Sequence, residues 1–316
     1  MRDYTLASLA QLRVAMMIPI LLVGIIFAAF LALIMYILQL SFIWAFILAG
    51  IFILIQYLIG PAIVRASTRL RYLKAGENPW LESTVKDLAQ KSGIPTPKLA
   101  VVPNPTPNAF VFGRTSGDAT LAVHEGLLQN LNQEEVRGVI GHELGHIRHK
   151  DFLVMTALSA VPLLVYLIAR GTFEAAWISG RTARKKEGGG LAAALLAVAV
   201  VSYVVYIISL LLVMRLSRLR EHYADAYSAY VTESPRQLQS ALTKITYGLS
   251  LSPAPPTGAR TLYIGDPALA KLECQNIISR KEEYDLDKDG VLDQKELELA
   301  MEKEAKSRWL TINRWF

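Results

Sequence analysis

The sequence predicts a mainly α-helical membrane protein with a small β-sheet, carried on about four membrane helices, and three observations predict it. Of the 316 residues, 53% are hydrophobic and only 19% charged, an apolar excess for a soluble domain. Uncharged runs occupy 14–38, 41–64, 152–168 and 191–214, against the ~20 apolar residues that a spanning helix needs. Between the second and third runs lie short Val- and Phe-rich pieces bounded by Pro, Asn and Gly, the pattern of a small sheet.

The first run exceeds the ~7 to 15 apolar residues of a cleaved signal segment, and a second run follows almost at once, so it reads as an uncleaved anchor. The third run is short and carries Pro162, which a span tolerates when neighbouring helices satisfy the freed backbone groups. Arg65, Arg69, Arg71 and Lys74 follow the second run, which places 65–151 on the cytoplasmic side of the cell membrane by the positive-inside rule. Arg170, Arg181, Arg184, Lys185 and Lys186 would then lie outside. They are outnumbered by the basic residues flanking the inner side, among them Arg148, Lys150, Arg215, Arg218 and Arg220. The conflict leaves a second reading, in which runs three and four form a hairpin that dips into the bilayer. The net charge of +6 gathers at these boundaries and forms no stripe on a soluble unit, which argues against a nucleic-acid partner. One cysteine, Cys274, permits no intrachain disulfide and suits a reducing compartment.

The polar segments, about 65–151 and 217–316, must cooperate, since neither is a large domain. ENPWLESTVKDLAQKSG carries Trp80, Leu81, Val85 and Leu88 at helical spacing, closed by Gly93. KLAVVPN and NAFVFG read as strands, and GRTSGD supplies the glycines of a hairpin before ATLAVH. LNQEEVRGVIGHELGHIRHK reads as one helix, with Asn132 as N-cap, Glu135 three residues on, and Val136, Val139 and Ile140 on its apolar face. A helix continues from the fourth run, breaks at Glu233-Ser234-Pro235, resumes as RQLQSALTKITYGL and passes into the Pro-rich linker LSPAPPTG. The chain therefore divides into 1–64, two anchoring helices; 65–151; a hairpin over 152–216; 217–268; and 269–316.

The chemistry concentrates in GHELGHIRHKD, residues 141–151. Residues four apart share a helix face, so His142 and His146 can offer imidazoles to one ion with Glu143 beside them, the geometric reason that HExxH marks zinc hydrolases. A zincin-like HExxH domain is thus expected. His149 lies about 4.5 Å further along the axis than His146, too far to join the same ion without distortion, and reads as a boundary polar residue. A catalytic zinc takes three protein ligands and leaves one position open. If the third and fourth runs make a hairpin, the chain returns to the same surface near Arg215, as SRLREHYADAYSAY. There Glu221 and Asp225 are four apart. Glu221 as third ligand gives a His2Glu set, Asp225 is then placed to hold a ligand imidazole, and His222 is the competing ligand. Ion pairing of the two acids with Arg218 and Arg220 is the plainer alternative.

At this point the sequence resembles the HtpX-type membrane zinc proteases, relatives of the CAAX prenyl proteases. The resemblance covers most of the chain. Two N-terminal spans, PNPTPNAFVFGRTSGDATLAVHEGLL, the HELGH helix, a hydrophobic pair, SRLREHYADAYSA, PRQLQSALTKI and TLYIGDP follow in the family's order. It implies zinc on His142, His146 and Glu221, Glu143 as base, Asp225 in support, and a substrate cleft lined by Asn108, Ala109 and Phe110. Family members usually continue with a Thr-His-Pro motif whose histidine is thought to stabilise the oxyanion; this chain stops at Phe316, so a truncated C-terminal segment is expected.

DLDKDGVLDQKE, residues 285–296, departs from the family as an apparent insertion and fits the twelve-residue calcium loop of an EF-hand. Asp285, Asp287, Asp289 and Asp293 supply side-chain oxygens, Val291 its carbonyl, Glu296 bidentate closure, and Gly290 the sharp turn. An acidic solvated turn is the plainer alternative. Together these features predict a membrane zinc endopeptidase that cleaves polypeptides, membrane or misfolded proteins in particular, at the cytoplasmic face, with calcium as modulator or stabiliser. A prenyl-protein processing protease usually has more spans, and a noncatalytic calcium-responsive scaffold would more often close its zinc with four protein ligands.

Overall fold

Continuous apolar sequence and alternating polar sequence sort into two units. The structure, a computed structural model, describes residues 2–38, 42–182 and 189–251, and singly Glu283, Leu286 and Leu299. One unit comprises Gln11–Gly60 and Leu153–Arg220; the other comprises Pro61–Phe152 and the residues from Glu221 onward, with the first ten residues of the chain.

The first unit is helical because its sequence offers apolar residues on every face and few charges. It draws on α1 (Arg2–Leu38), α2 (Phe42–Thr68), α6 (Asp151–Thr182) and α7 (Gly189–Thr232). Each contains a segment long and apolar enough to cross a membrane: Leu9–Tyr36, Ala49–Thr68, Asp151–Arg181 and Gly190–Thr232. Val23, Phe30, Leu31 and Ile34 of α1 meet Val161 and Val165 of α6 and Val198 and Val213 of α7 in one buried cluster. Ile51, Leu54 and Leu58 of α2 point outward, exposed, as a helix facing lipid requires. Pro19, Pro61 and Pro162 lie inside their helices.

The third apolar run ends at Ile168, but the helix does not. α6 runs 32 residues to Thr182. Arg170 Nε donates to Glu174 at 2.8 Å, one turn on, and the Thr172 hydroxyl bonds back to the Ile168 carbonyl at 2.7 Å. Charge ends hydrophobicity there without ending helical hydrogen bonding.

In the second unit, α3 (Pro79–Ser92) starts on the Asn78 side chain, which accepts from the Leu81 N–H at 3.1 Å, and stops at Gly93 in the left-handed conformation, φ 63°. Leu81, Val85, Leu88 and Ala89 are buried. The sheet takes β1 (Arg71–Tyr72), β2 (Lys98–Val102), β3 (Ala109–Phe112) and β4 (Thr120–His124) in the order β1-β2-β4-β3. The hairpin expected around GRTSGD is β3–β4, antiparallel with Val111 opposite Leu121. β2 runs parallel to β4, so the hairpin folds back and leaves β3 at the sheet's edge. α4 (Glu125–Asn130) follows β4 directly. α5 (Gln133–Arg148) and α8 (Pro235–Leu251) pack closely enough that a Cβ on Gly138 would meet the Leu238 backbone at 3.0 Å. The break at Glu233-Ser234 falls as read, with Glu233 left-handed at φ 60°.

Candidate metal centre

α5 is fixed at its start by a reciprocal cap. The Glu135 N–H donates to Asn132 Oδ1 at 2.9 Å, and the Asn132 N–H to Glu135 Oε2 at 2.8 Å. Glu135 is itself buried and pairs with Lys244 Nζ at 2.8 Å and the Ser240 hydroxyl at 2.7 Å, both on α8. These partners hold its carboxyl below the ordinary range although burial pushes the other way. Val136, Val139, Ile140, Leu144 and Ile147 fill the buried face of α5.

The glycines of α5 let the end of α7 approach. A Cβ on Gly145 would meet Ala224 Cα at 3.1 Å, and one on Gly141 would meet Thr232 Cγ2 at 2.9 Å and Ser228 Oγ at 3.0 Å. The Ser228 hydroxyl donates to the Gly138 carbonyl at 2.6 Å and locks the contact. Glu221 is thereby brought to the histidines. Its Oε2 lies 3.4 Å from His142 Nε2 and 3.7 Å from His146 Nε2, and the two Nε2 atoms are 3.2 Å apart. Among the described residues these three form the group whose donor atoms lie within 4.8 Å of one another and could hold a metal ion.

The chemistry of the donor set fits a cation. His142 Nδ1 donates to Asp225 Oδ1 at 2.9 Å, and His146 Nδ1 to Asp151 Oδ2 at 2.6 Å. A carboxylate only accepts, so each Nδ1 carries a proton and each Nε2 is left to present its lone pair to the same point. Burial pulls both imidazoles toward neutrality. Asp225 and Glu221 override it at His142, and Asp151 and Glu221 at His146, so both titrate above their ordinary value. The neighbouring carboxylates thus favour positive charge on the two rings.

Glu143 is 3% exposed. Burial raises its carboxyl above the ordinary range, against the pull of His146, His142 and a hydrogen bond from the Val111 backbone N–H. That bond follows from the sheet. The His124 N–H donates to the Asn108 carbonyl at 2.9 Å, so Asn108, Phe110 and Phe112 bond to β4, and Ala109 and Val111 turn their backbone groups to the open edge. Asn108, Ala109 and Phe110 are all buried. The Phe110 ring packs edge-on to His124 and belongs to the sheet's own cluster with Ala100, Val102, Phe112 and Ala122. Of these three residues, Ala109 therefore turns its backbone groups away from β4, while the Phe110 side chain packs in the sheet's own cluster.

His149 caps the end of α5 with its ring 4.5 Å from Tyr223, and it is not part of the donor group. His222 is exposed and also outside it. Asp151 and the Val111 amide are the partners the sequence reading missed. Asp151 closes the stretch GHELGHIRHKD, but nothing in the spacing of a helix makes residues five apart meet. The loop 285–296, with Asp285, Asp287, Asp289, Val291, Asp293 and Glu296, lies outside the described residues, of which only Leu286 falls within it.

Residues 75–266 match peptidase family M48. A protein described as a protease HtpX homolog from Methanothermobacter thermautotrophicus is 39% identical over 198 residues, covering 63% of this chain and 71% of that one. Another so described, from Thermococcus sibiricus, is 37% identical over 232 residues, covering 72% and 75%. Among solved structures, that of Ste24p from S. mikatae superposes with a TM-score of 0.48 at 19% identity, over 75% of this chain and 60% of that one.

Proposed function

The chain belongs to peptidase family M48 as an HtpX-type membrane metalloprotease, and from that premise we propose that His142, His146 and Glu221 hold one catalytic zinc ion. The observation that carries the reading is the convergence of two imidazole Nε2 atoms and one carboxylate on a single point, with each Nδ1 taken by a further carboxylate. Bound zinc supplies a Lewis acid that polarises the scissile carbonyl and makes water more acidic.

Glu143 is the general base. Its carboxylate takes the proton of the attacking water and passes it to the leaving amine. Burial favours the protonated form it must hold in between, and the Val111 N–H keeps one oxygen in place. Asp225 holds His142 in the tautomer that has its proton on Nδ1 and its lone pair on Nε2. The edge of β3 meets the substrate backbone through Ala109 as an added strand, with Asn108 and Phe110 anchoring that strand to β4.

Four membrane-capable helices, one of which carries Glu221, support membrane proteins, misfolded ones in particular, as substrates. Arg65, Arg69, Arg71 and Lys74 after the second span support a cytoplasmic active site, in the cell membrane. The spacing of Asp285, Asp287, Asp289, Asp293 and Glu296 supports a calcium ion on the loop 285–296, as modulator or stabiliser.

The deciding experiment compares the detergent-purified chain with its Glu143→Gln variant on an unfolded reporter protein, with bound zinc quantified in both. Zinc in both and cleavage by the parent alone is expected; absence of zinc from the parent would overturn the reading. An impermeant maleimide that labels Cys274 in intact cells would overturn the cytoplasmic orientation. Calorimetry with calcium that gives no heat on the full chain would remove the calcium site.

A further inference from the structure

Asp151 belongs neither to HExxH nor to the part of α7 that carries Glu221, yet its Oδ2 lies 2.6 Å from His146 Nδ1. It is the first residue of α6 and is separated from α5 by only His149 and Lys150. Two residues suffice because Lys150 adopts the left-handed conformation, φ 56°, which residues with a Cβ rarely take. The His149 N–H donates to the Gly145 carbonyl at 3.0 Å and the Lys150 N–H to the Ile147 carbonyl at 3.1 Å, so the reversal is tied down. The chain turns back sharply enough for a side chain five residues beyond His146 to reach its ring. Asp151 is 7% exposed, so water competes little for the contact. His149 Nδ1 lies 3.4 Å from its other oxygen.

We infer that Asp151 is a positioning residue for the metal, holding the His146 ring with Nε2 toward the ion through the α5–α6 turn. The inference rests on the assignment of His146 as a zinc ligand. Asp225 serves His142 across the chain, whereas Asp151 serves His146 from the residue that begins a membrane-capable helix. Loss of such an outer carboxylate typically weakens metal binding about 10–100-fold.

The test measures zinc affinity of the full chain in detergent by competition with a chromogenic chelator, for the parent, Asp151→Asn and Asp151→Ser. Both replacements suit a helix start, and both remove the charge. Thermal unfolding of each metal-free protein and the visible spectrum of each cobalt-loaded protein are recorded alongside. The expected result is a zinc dissociation constant raised about 10–100-fold, a shifted cobalt spectrum and an unchanged metal-free melting temperature. A zinc dissociation constant within about twofold of the parent's would overturn the inference, as would a metal-free melting temperature that falls in both variants, which would make Asp151 a helix-start residue only. A parent that binds no zinc would instead overturn the assignment of His146.

Discussion

Gly145 and Ala224 meet backbone to backbone: a Cβ added to Gly145 would lie 3.1 Å from Ala224 Cα and 3.3 Å from Tyr227 Cβ. Neither neighbour is the end of a flexible side chain, so Gly145→Ala has to push α7 outward by a few tenths of an ångström. Glu221 sits on the same stretch of α7 and moves with it. Alanine favours the helix by up to about 1 kcal/mol over glycine, which offsets the steric cost. The expected outcome is a melting temperature close to the parent's with kcat/KM reduced about tenfold or more, since small misplacements in such sites are costly. Parallel melting and peptidase assays check it; a large fall in stability with activity per folded molecule intact would contradict it.

Glu221 and His222 are alternatives for the third ligand position on sequence grounds, and they sit differently: Glu221 Oε2 stands 3.4 and 3.7 Å from the two Nε2 atoms, while His222 is not part of that group. Glu221→Gln is expected to weaken zinc binding by more than the about 10–100-fold that loss of an outer partner brings. His222→Gln is expected to retain it. Zinc content after dialysis against a weak chelator distinguishes the two; retention in the first and loss in the second would reverse the assignment.

Why Glu221 was legible and Asp151 was not is a matter of which interactions are local. The cap of α5, its apolar face and the pairing of His142 with His146 are set within one helix, and the sequence reading named each. Glu221 and Asp225 were found because they too are four apart on a helix. The contact of Asp151 with His146 depends on a left-handed lysine, a conformation that residues with a Cβ rarely take and that no turn-forming glycine or asparagine announces. β1 escaped for a related reason. Arg71 and Tyr72 form a strand only by pairing with Val101 and Ala100, and a two-residue strand has no period to read. α6 outlasts the apolar run that ends at Ile168 because the helix continues through the Arg170–Glu174 pair.

Gly126 opens α4 where a Cβ would lie 1.8 Å from the Pro105 carbonyl oxygen and 2.3 Å from its carbon. The Gly126 N–H also donates to the Asn104 carbonyl at 3.0 Å, so the two backbones cannot part without losing that bond. Gly126→Ala is expected to destabilise the chain by about 3 kcal/mol, the upper range for overpacking. Chemical unfolding in detergent measures it, and a change under about 0.5 kcal/mol, typical of a surface position, would show that the Pro105 loop yields freely.

Glu135 couples the start of α5 to α8, and its charge gives that coupling a pH dependence. Burial favours the neutral acid, yet Lys244, Ser240 and the Asn132 N–H outweigh it and hold the folded carboxyl below its ordinary range. A depressed carboxyl contributes stability that is fully present above its unfolded pKa, about 4.3, and is lost as pH falls through the lower folded value. Lys244→Met removes the main stabilising partner and leaves a buried carboxylate without its cation, which costs up to about 3 kcal/mol near neutral pH. The penalty should shrink as acid protonates Glu135, because a neutral acid no longer needs the lysine. Unfolding free energies of metal-free parent and variant, measured from pH 7 down to pH 4, are therefore expected to converge as the pH falls. Curves that stay parallel would mean that the lysine acts through its packing against α5 and not through the charge on Glu135.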